Sequence, residues 1–454
     1  MKRESSRGFA LLSALGVAAL LIPVSDCEPR THVSLDPSFG DEGIKILGVF
    51  DGAVASDFGQ GVAVLRDGRI VIVGKANDPV DDQRHGFVAL LDERGDLDPS
   101  FGDGGIVVES FEETTDFHAV TLDEAGRILV TGFIKWDGGS AFVLAKYLSD
   151  GSRDGSFGTD PVFEGLTQVS EPCTVQAYDI AVQSDGAIVA TGSACPWTSR
   201  FSAARVLADG TPDPNFGDNG VLIMDPGYSS EVLLTRDASG KRRIVIGGSV
   251  GDTGFDGNMD FALVGLAGDG SLDPVFGDGG MVVTDFGDGS PGRSEWLNAF
   301  ALTPNGTILA GGSIQLLPNF QQPWQTSYDF LLAAYTSDGA LDTSFGDGGS
   351  LRMDFGSENE GIQEVLVRGN GNVVVVGASG RLQWETRVAI VHLDRYGSPI
   401  RGNHRVLTAL EGAGFNPMAA ALDHRGRLLV VGFIRYEGGG FDIGVARYVF
   451  HRTL

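Results

Sequence analysis

Leu97-Asp98-Pro99-Ser100-Phe101-Gly102-Asp103-Gly104-Gly105 is a motif that this chain repeats along its length. Near-copies occupy residues 35–43, 212–220, 272–280 and 341–349, and residues 153–159 form a degraded copy. The phenylalanines at the centre of successive copies lie 56 to 69 residues apart, at Phe39, Phe101, Phe157, Phe216, Phe276 and Phe345. A recurrence at this spacing indicates stacked copies of one supersecondary unit.

Each residue type in the motif has a local structural reason. An aspartate before a proline favours a turn, because proline presets φ and the carboxylate accepts hydrogen bonds from nearby backbone N–H groups. The glycines that follow reach positive φ angles at little cost. The phenylalanine is the one large apolar side chain in a polar turn, so we expect it to fill the gap between neighbouring units.

Between two copies of the motif the sequence predicts four short strands. In the first unit these are Gly43–Leu47, then Gly61–Leu65 and Arg69–Val73 as a hairpin around a turn that ends in glycine, and finally Gly86–Leu91. Six further hairpins follow the same pattern, at residues 119–131, 179–191, 231–247, 299–311, 363–376 and 418–431. No long segment with helical periodicity follows residue 30, which predicts an all-β chain.

Seven units of four strands predict a seven-bladed β-propeller made of four-stranded antiparallel blades. The chain opens at the first strand of a unit and ends at a fourth strand, Phe441–Tyr448. We therefore expect this C-terminal strand to complete a sheet begun near the N-terminus and so to close the ring. An open solenoid is the alternative, but it needs distinct capping units, and none is visible in the sequence.

The motif Leu-Asp-Pro-x-Phe-Gly-x-Gly-Gly and the hairpin that ends Ile-Val-Ile-Val-Gly resemble the delta-60 repeat family of bacterial β-propellers. The resemblance covers residues 33 to about 450, with departures at residues 153–160 and 398–403. It implies a secreted or surface-exposed bacterial propeller. It implies no activity and no catalytic residues, because the family is defined by its architecture.

The N-terminal segment has the composition of an export signal. Lys2, Arg3 and Arg7 form a basic region, and Phe9–Pro23 is an apolar run too short for a comfortable transmembrane helix. We expect residues 1–26 to be a signal peptide, residues 27–32 a short linker and residues 33–454 the propeller. The protein would then be extracellular, periplasmic or anchored at the cell surface.

The three cysteines fit an exported protein. Val24-Ser25-Asp26-Cys27 resembles a lipoprotein signal, in which Cys27 would carry the lipid. Asp26 departs from that pattern, so cleavage of a plain secretory signal is the alternative. Cys173 and Cys195 flank a hairpin turn almost symmetrically, which brings them near each other across the ladder. We expect a disulfide between them, with two free thiols as the alternative.

The net charge of −27 disfavours nucleic acid and anionic membrane surfaces as partners, because both are negatively charged. No transmembrane span is expected after the signal segment. The partner that remains is a protein, a peptide or a glycan at the cell envelope, bound by a monomer.

An up-and-down strand order places the hairpin turns and the phenylalanine motifs on one side of the ring, and loops of variable sequence on the other. Binding residues usually lie in such variable loops. Six aromatic residues belong to the variable side and are candidates for stacking against a ligand: Trp136, Trp197, Trp296, Trp324, Trp384 and Tyr436. The alternative is that each ring covers the end of its own blade. Glu109 and Asp116 on this side are expected to be solvated, and His85 and His118 lie near them.

Asp252, Asp256, Asn258 and Asp260 offer oxygen donors at close spacing and are a candidate Ca²⁺ site, with a polar turn as the alternative. No other cofactor is evident. Residues 247–251 match the pattern Gly-x-Ser-x-Gly of a nucleophile elbow, but no helix follows them, so the match is one of letters only.

These observations favour a binding or scaffolding protein of the cell envelope that uses its variable, tryptophan-bearing face. The alternative is a propeller enzyme, such as a lyase, a hydrolase or a quinone-dependent dehydrogenase, with its site at the central channel. A purely structural surface module is the third possibility. The sequence identifies no catalytic residue for the enzyme hypothesis.

Overall fold

The described part of the chain consists almost entirely of β-strands. The computed structural model describes residues 30–453, except for 51–55, 81–82, 110–113, 137–138, 159–164, 171–174, 195–199, 226, 238, 252–258, 288–292, 317–326, 403 and 438. Within these residues the helical structure is one 3-10 turn, Gln383–Glu385. None of it is a helix long and apolar enough to span a membrane.

Five four-stranded antiparallel sheets follow one another, and in each the spatial order of the strands is their order in the chain. Their strands are β7 Thr114–Leu122, β8 Ile128–Trp136, β9 Gly139–Tyr147, β10 Leu166–Ser170; β11 Val175–Val182, β12 Ile188–Ala194, β13 Arg200–Val206, β14 Val221–Met224; β15 Tyr228–Arg236, β16 Arg242–Gly251, β17 Met259–Leu266, β18 Met281–Thr284; β19 Glu295–Leu302, β20 Ile308–Leu316, β21 Ser327–Tyr335, β22 Ser350–Met353; and β23 Asn359–Val367, β24 Val373–Gly380, β25 Arg387–Leu393, β26 Arg405–Thr408.

The remaining strands come from the two ends of the chain. They are β1 Arg30–Leu35, β2 Ile44–Leu47, β3 Ser56–Val64, β4 Ile70–Asn77, β5 Arg84–Leu91 and β6 Ile106–Glu109, and then β27 Ala413–Leu422, β28 Leu428–Tyr436 and β29 Phe441–Thr453. Strands β3 to β6 pair in chain order, as β27 to β29 also do. The outer neighbour of β29 is N-terminal: β2 pairs with its first part and β1 with its last part. The sequence analysis did not predict β1.

The inner strands are β3, β7, β11, β15, β19, β23 and β27. Five of them begin the four-stranded sheets, whereas β27 and β3 belong to one nine-stranded sheet, because β29 also pairs in parallel with β3 through Phe441 and Ser56. Each inner strand contacts the inner strand of the next sheet, and β27 also contacts β3. The molecule is therefore an all-β, propeller-like assembly of four-stranded antiparallel sheets, as the sequence predicts.

Every inner strand carries one β-bulge at the same place. The pairing register with the second strand of the sheet shifts by one residue there. The seven bulge residues are Gln60, His118, Tyr178, Ser230, Asn298, Gln363 and Met418. A bulge inserts one unpaired residue and redirects the strand, so these seven positions share a geometry that a regular ladder would not give.

The phenylalanine motifs connect neighbouring sheets, as expected. All six central phenylalanines are at most 2% exposed. The glycine after each one donates its backbone N–H to the turn of the next unit; Gly102 N–H, for example, bonds the Asp150 carbonyl at 2.9 Å. Asp98 accepts the Ser100 N–H at 3.0 Å, which fixes the turn itself. The repeat is thus the contact that holds one sheet against the next.

Two ends of the assembly can now be distinguished. The turn end carries the hairpin turns, such as the one between β3 and β4, and the phenylalanine motifs. The loop end carries the connections from second to third strands and from outer strands to the next inner strand. The inner strands begin at the loop end, so residues that precede a bulge lie nearer that end than residues that follow it.

Candidate functional site

The inner strands surround a cavity of about 650 Å³ towards the loop end, called here the axial cavity. All seven bulge residues line it. A cavity of this volume accommodates a small molecule or the end of a polymer. Because every sheet contributes to its wall, its chemistry is the sum of seven positions that differ in the sequence.

Three of the polar bulge side chains bond the neighbouring inner strand. His118 Nδ1 lies 2.8 Å from the Ala177 carbonyl oxygen, and Asn298 Nδ2 donates to the Ile362 carbonyl at 3.0 Å. Ser230 Oγ donates to the Leu297 carbonyl at 2.9 Å. In each case the carbonyl belongs to the residue just before the next bulge. These side chains therefore satisfy backbone groups that the bulges remove from the ladder.

Three carboxyl groups follow bulge residues directly and lie within the wall of the cavity: Asp179, Glu231 and Glu364. Asp179 Oδ2 accepts the Val232 N–H at 2.8 Å. Burial raises the pKa of Glu364 to about 8. Burial also raises the pKa values of Asp179 and Glu231, which are close enough to interact, and the charge of Asp179 adds to the rise at Glu231. The group therefore retains protons near neutral pH.

A charged cluster lies at the rim of the axial cavity. Asp116 Oδ2 accepts hydrogen bonds from Lys75 Nζ at 3.2 Å and from Arg84 Nη1 at 2.9 Å. Asp116 is 1% exposed, so the expectation that this residue is solvated was wrong. Glu109 is also buried, against Tyr147 and Arg153. Both acids belong to strands, β6 and β7, rather than to loops, and basic or hydroxyl side chains from other parts of the chain bond them.

His118 is neutral and has a defined tautomer. Burial lowers the pKa of its imidazole to about 4, against an opposing effect of Asp116. Since the Ala177 carbonyl can only accept, Nδ1 must carry the proton. Nε2, which lies 4.0 Å from Asp116 Oδ2, then holds a lone pair. It can accept a hydrogen bond or a proton.

Aromatic rings form one wall of the axial cavity. The imidazole of His118 stacks on Tyr178 with 5.3 Å between ring centroids and 1° between planes. Tyr228 and Trp296 follow, with centroids 5.9 Å apart. Tyr178, Tyr228 and Trp296 are each 37% exposed. The cavity thus combines flat apolar surfaces with hydrogen-bonding groups, which suits a ligand that has both apolar faces and polar edges.

The structure separates the aromatic residues that the sequence grouped together. Trp296 lines the axial cavity. Trp136 packs against the core between the first two sheets, and Tyr436 packs against the core beside β28. Trp384 lies in the 3-10 turn beneath Arg435, whose guanidinium is 5.5 Å from its ring centroid. Trp197 and Trp324 are outside the described residues. A ligand-binding role for these residues stays a prediction.

Most of the other predicted sites fall outside the described residues. This applies to Cys27, to the expected disulfide of Cys173 with Cys195, and to three of the four candidate Ca²⁺ ligands, Asp252, Asp256 and Asn258. The fourth, Asp260, is described as part of β17. These predictions remain open.

Sequence reasoning missed the bulge residues and the carboxylates beside them. A signal for them exists in the repeat itself. The predicted hairpins begin at or next to the bulge, and the residues there vary between units while the strands after them stay apolar. Variation at a fixed position of a regular repeat indicates side chains that the folding of the repeating unit does not require, and such side chains are candidates for a binding site.

The fold and the axial cavity define a β-propeller. A family model described as a domain of unknown function (DUF5122) β-propeller matches residues 65–101, 126–157 and 183–216. The match supports similarity to a β-propeller family of unknown function, and the delta-60 repeat name remains a prediction. A search of curated proteins gives no match.

Several solved structures share the fold at low identity. A polysaccharide lyase, Uly1, is 11% identical with a TM-score of 0.48, covering 86% of this chain and 89% of its own. A protein of unknown function from Dyadobacter fermentans is 13% identical with a TM-score of 0.44, covering 90% and 100%. An alpha-L-arabinanase from Penicillium chrysogenum is 10% identical with a TM-score of 0.41, covering 88% and 98%.

Proposed function

We propose that this protein is an exported, closed seven-bladed β-propeller that binds the end of a glycan in its axial cavity. The observation that carries the proposal is the convergence of all seven bulge residues on one cavity. The pairing of β29 with β2 and β1, and the contact of β27 with β3, support seven blades and a closed ring. Closure by strands from both ends of the chain resists opening at that seam.

The chemistry of the wall favours a sugar over a charged peptide. Tyr228 and Trp296 offer flat faces on which the C–H side of a pyranose packs. Burial raises the pKa values of Glu231 and Glu364 enough for these carboxyls to hold protons at neutral pH, so they both donate and accept hydrogen bonds, as sugar hydroxyls require. A cationic ligand would instead need these groups to be ionised.

Two tryptophans of equal exposure allow a matched test. Trp296 in the axial cavity is 37% exposed and Trp384 outside it is 36% exposed. A glycan array identifies ligands, and titration calorimetry measures their affinity. We expect Trp296→Ala to weaken glycan binding at least about tenfold and Trp384→Ala to leave it unchanged. Equal effects of the two substitutions, or no glycan bound by the native protein, would reject the site.

A propeller enzyme acting on a glycan is the second candidate. The specific observation in its favour is the interacting pair Asp179 and Glu231, whose raised pKa values suit proton transfer near neutral pH. Asp179→Asn and Glu231→Gln should then abolish turnover of a bound polysaccharide while binding persists. If the native protein binds a glycan and releases no shortened or unsaturated product, the binding function stands alone.

Export and anchoring rest on the N-terminal sequence. Cell fractionation of the full chain should place it outside the cytoplasm. Cys27→Ser should release it from the membrane fraction if Cys27 carries a lipid. An unchanged distribution would favour cleavage of a plain secretory signal.

A further inference from the structure

Two successive sheets carry the same group of three carboxylates at the loop end. The first triad is Asp260, Asp285 and Glu295, and the second triad is Asp329, Asp354 and Glu360. In each triad, one ligand oxygen per residue lies within 4.8 Å of those of the other two. The first residue comes from a third strand, the second follows the outer strand, and the last belongs to the next inner strand.

Strand register shows that the two triads occupy equivalent positions. Asp260 precedes Phe261, which pairs with Thr284, and Asp285 follows Thr284. Asp329 and Asp354 have the same relation to the pair Phe330 and Met353. Glu295 and Glu360 each lie three residues before the bulge residue of their inner strand, Asn298 and Gln363. The two triads are therefore the same site in successive units, and they differ in the charged groups that surround them.

The second triad is neutralised by the protein itself. Arg352 Nε donates to Asp329 Oδ2 at 2.5 Å. Glu360 accepts the N–H groups of Phe355 and Ser357, each at 2.8 Å, and the Ser357 hydroxyl at 2.9 Å. A guanidinium thus supplies positive charge beside the three acids, and backbone donors occupy the glutamate oxygens.

The first triad lacks the guanidinium of the second. The residue equivalent to Arg352 is Val283, which pairs with Ala262 as Arg352 pairs with Leu331. Glu295 is 0% exposed, and no donor among the described residues lies in good hydrogen-bond geometry to either of its carboxylate oxygens, although the Phe286 N–H and the Asp260 carboxyl are close to it. Arg293 lies nearby, where its Nη1 donates to the Gly287 carbonyl at 3.2 Å.

A buried carboxylate without a donor is unfavourable unless it gains a proton or a cation. Two further carboxylates close to it add repulsion when they are ionised, and a bound cation would relieve that repulsion. Oxygen-only ligands at this spacing are the ligands that calcium prefers, and calcium accepts irregular geometry more readily than magnesium. We propose that Asp260, Asp285 and Glu295 bind a calcium ion, which takes the place that the Arg352 guanidinium has in the second triad.

The proposal differs from the site expected from the sequence. It keeps Asp260 and replaces Asp252, Asp256 and Asn258 by residues far away in the chain. It is also independent of the glycan proposal, because the triad lies in the loop-end wall between two sheets. Calcium binding can therefore be absent while glycan binding persists, and glycan binding can be absent while calcium binding persists.

The test uses the full chain after chelator treatment, with equilibrium dialysis against radioactive calcium and thermal unfolding with and without calcium. We expect one bound calcium per chain and a higher Tm with calcium than with magnesium. Glu295→Gln should weaken binding at least about tenfold and raise the Tm of the calcium-free protein, because it removes one repelling charge. Glu360→Gln is the matched control and should leave calcium binding unchanged.

An exchange between the triads sharpens the result. Val283→Arg should abolish calcium binding and stabilise the calcium-free protein, since the guanidinium then neutralises the first triad. Arg352→Val should add a second calcium site. Native protein that binds no calcium, or Glu295→Gln protein that binds it undiminished, would overturn the proposal. A Tm that rises in Val283→Arg without calcium binding in the native protein would show that the first triad holds protons instead.

Discussion

The turn end and the loop end use the same backbone in opposite ways. At the turn end, each unit repeats one set of contacts: a buried phenylalanine, an aspartate that caps its own turn, and a glycine N–H that bonds the next unit. At the loop end, seven bulges of equal geometry present six different types of side chain, with glutamine occurring twice. Repeated side chains hold the sheets together, while varied side chains on a repeated backbone are free to serve a site.

The largest effect expected from this comparison comes from the turn end. Phe276 is 0% exposed and packs against Gly339, where a Cβ would lie about 3.1 Å from its ring. Phe276→Ala should lower the free energy of unfolding by about 3–5 kcal/mol, because it leaves a cavity between two sheets. Denaturant unfolding followed by tryptophan fluorescence measures the change. A loss below about 1 kcal/mol would show that the motif does not hold the sheets together.

A pair of neighbouring arginines tests the turn end a second time. Arg243 is 2% exposed, pairs with Asp273 at 2.7 Å and lies over the Phe276 ring, whereas Arg242 is largely exposed and pairs with Asp185. Arg243→Met should cost about 3 kcal/mol, because it leaves Asp273 without its partner. Arg242→Met should change the free energy of unfolding by less than about 0.5 kcal/mol. Similar losses of unfolding free energy in both variants would contradict the claim that the buried Arg243 stabilises the protein more than the exposed Arg242 does.

The pH dependence of stability should come from the axial cavity. Burial raises the pKa of Glu364 to about 8, above its value in an unfolded chain. The folded protein therefore binds more protons than the unfolded one between about pH 4.5 and pH 8. This contribution to stability is complete below that window and is lost as the pH rises through it. The loss for this half-buried group is on the order of 1–2 kcal/mol.

Glu364→Gln tests that assignment. The amide keeps an acceptor for the Ala420 N–H, which lies 3.5 Å from Glu364 Oε2, but it does not ionise. Its unfolding free energy, measured at pH 5 and pH 8, should fall less across that range than that of the native protein. Asp179 and Glu231 remain in this variant, and they will still produce part of the change of unfolding free energy with pH. An unchanged slope would show that Glu364 does not contribute.

The smallest effect on stability is expected at the cavity rim. Trp296 is 37% exposed and packs on the equally exposed Tyr228. Trp296→Ala should therefore lower the free energy of unfolding by less than about 1.5 kcal/mol, although we expect it to weaken ligand binding. Denaturant unfolding beside Phe276→Ala gives the comparison directly. If Trp296→Ala destabilises the protein as much as Phe276→Ala, the ring belongs to the core.

The sequence predicted the strands and hairpins well because their signals are local. Gly68 has the positive φ angle of 93° that the predicted turn requires, and the six hairpins that follow occupy the predicted places. β1 was missed because its pairing with β29 joins residues separated by nearly the whole chain. Such a contact has no local pattern.

The axial cavity was harder to predict for the same reason. Asp179 and Glu364 lie in separate units, and nothing near either residue in the sequence indicates that they share a cavity. The six aromatic candidates looked equivalent in the sequence, yet Trp296 reaches the axial cavity while Trp136 and Trp384 do not. Trp296 belongs to an inner strand, whereas Trp136 ends the second strand of its sheet and Trp384 lies in a 3-10 turn.

By itself, the sequence determined the repeating unit and its turn chemistry, because both follow from interactions between residues close together in the chain. The burial of the phenylalanines could be predicted from their recurrence, although their contacts lie in the next unit. Only the tertiary structure decided which side chains share the axial cavity and which carboxylates meet between two sheets. Those groups are assembled by the packing of one sheet on the next. Arg352 and Val283 illustrate this, because they occupy equivalent positions in successive units. The fold places Arg352 beside the second triad, to which it supplies positive charge, and places Val283 beside the first triad, to which it supplies none.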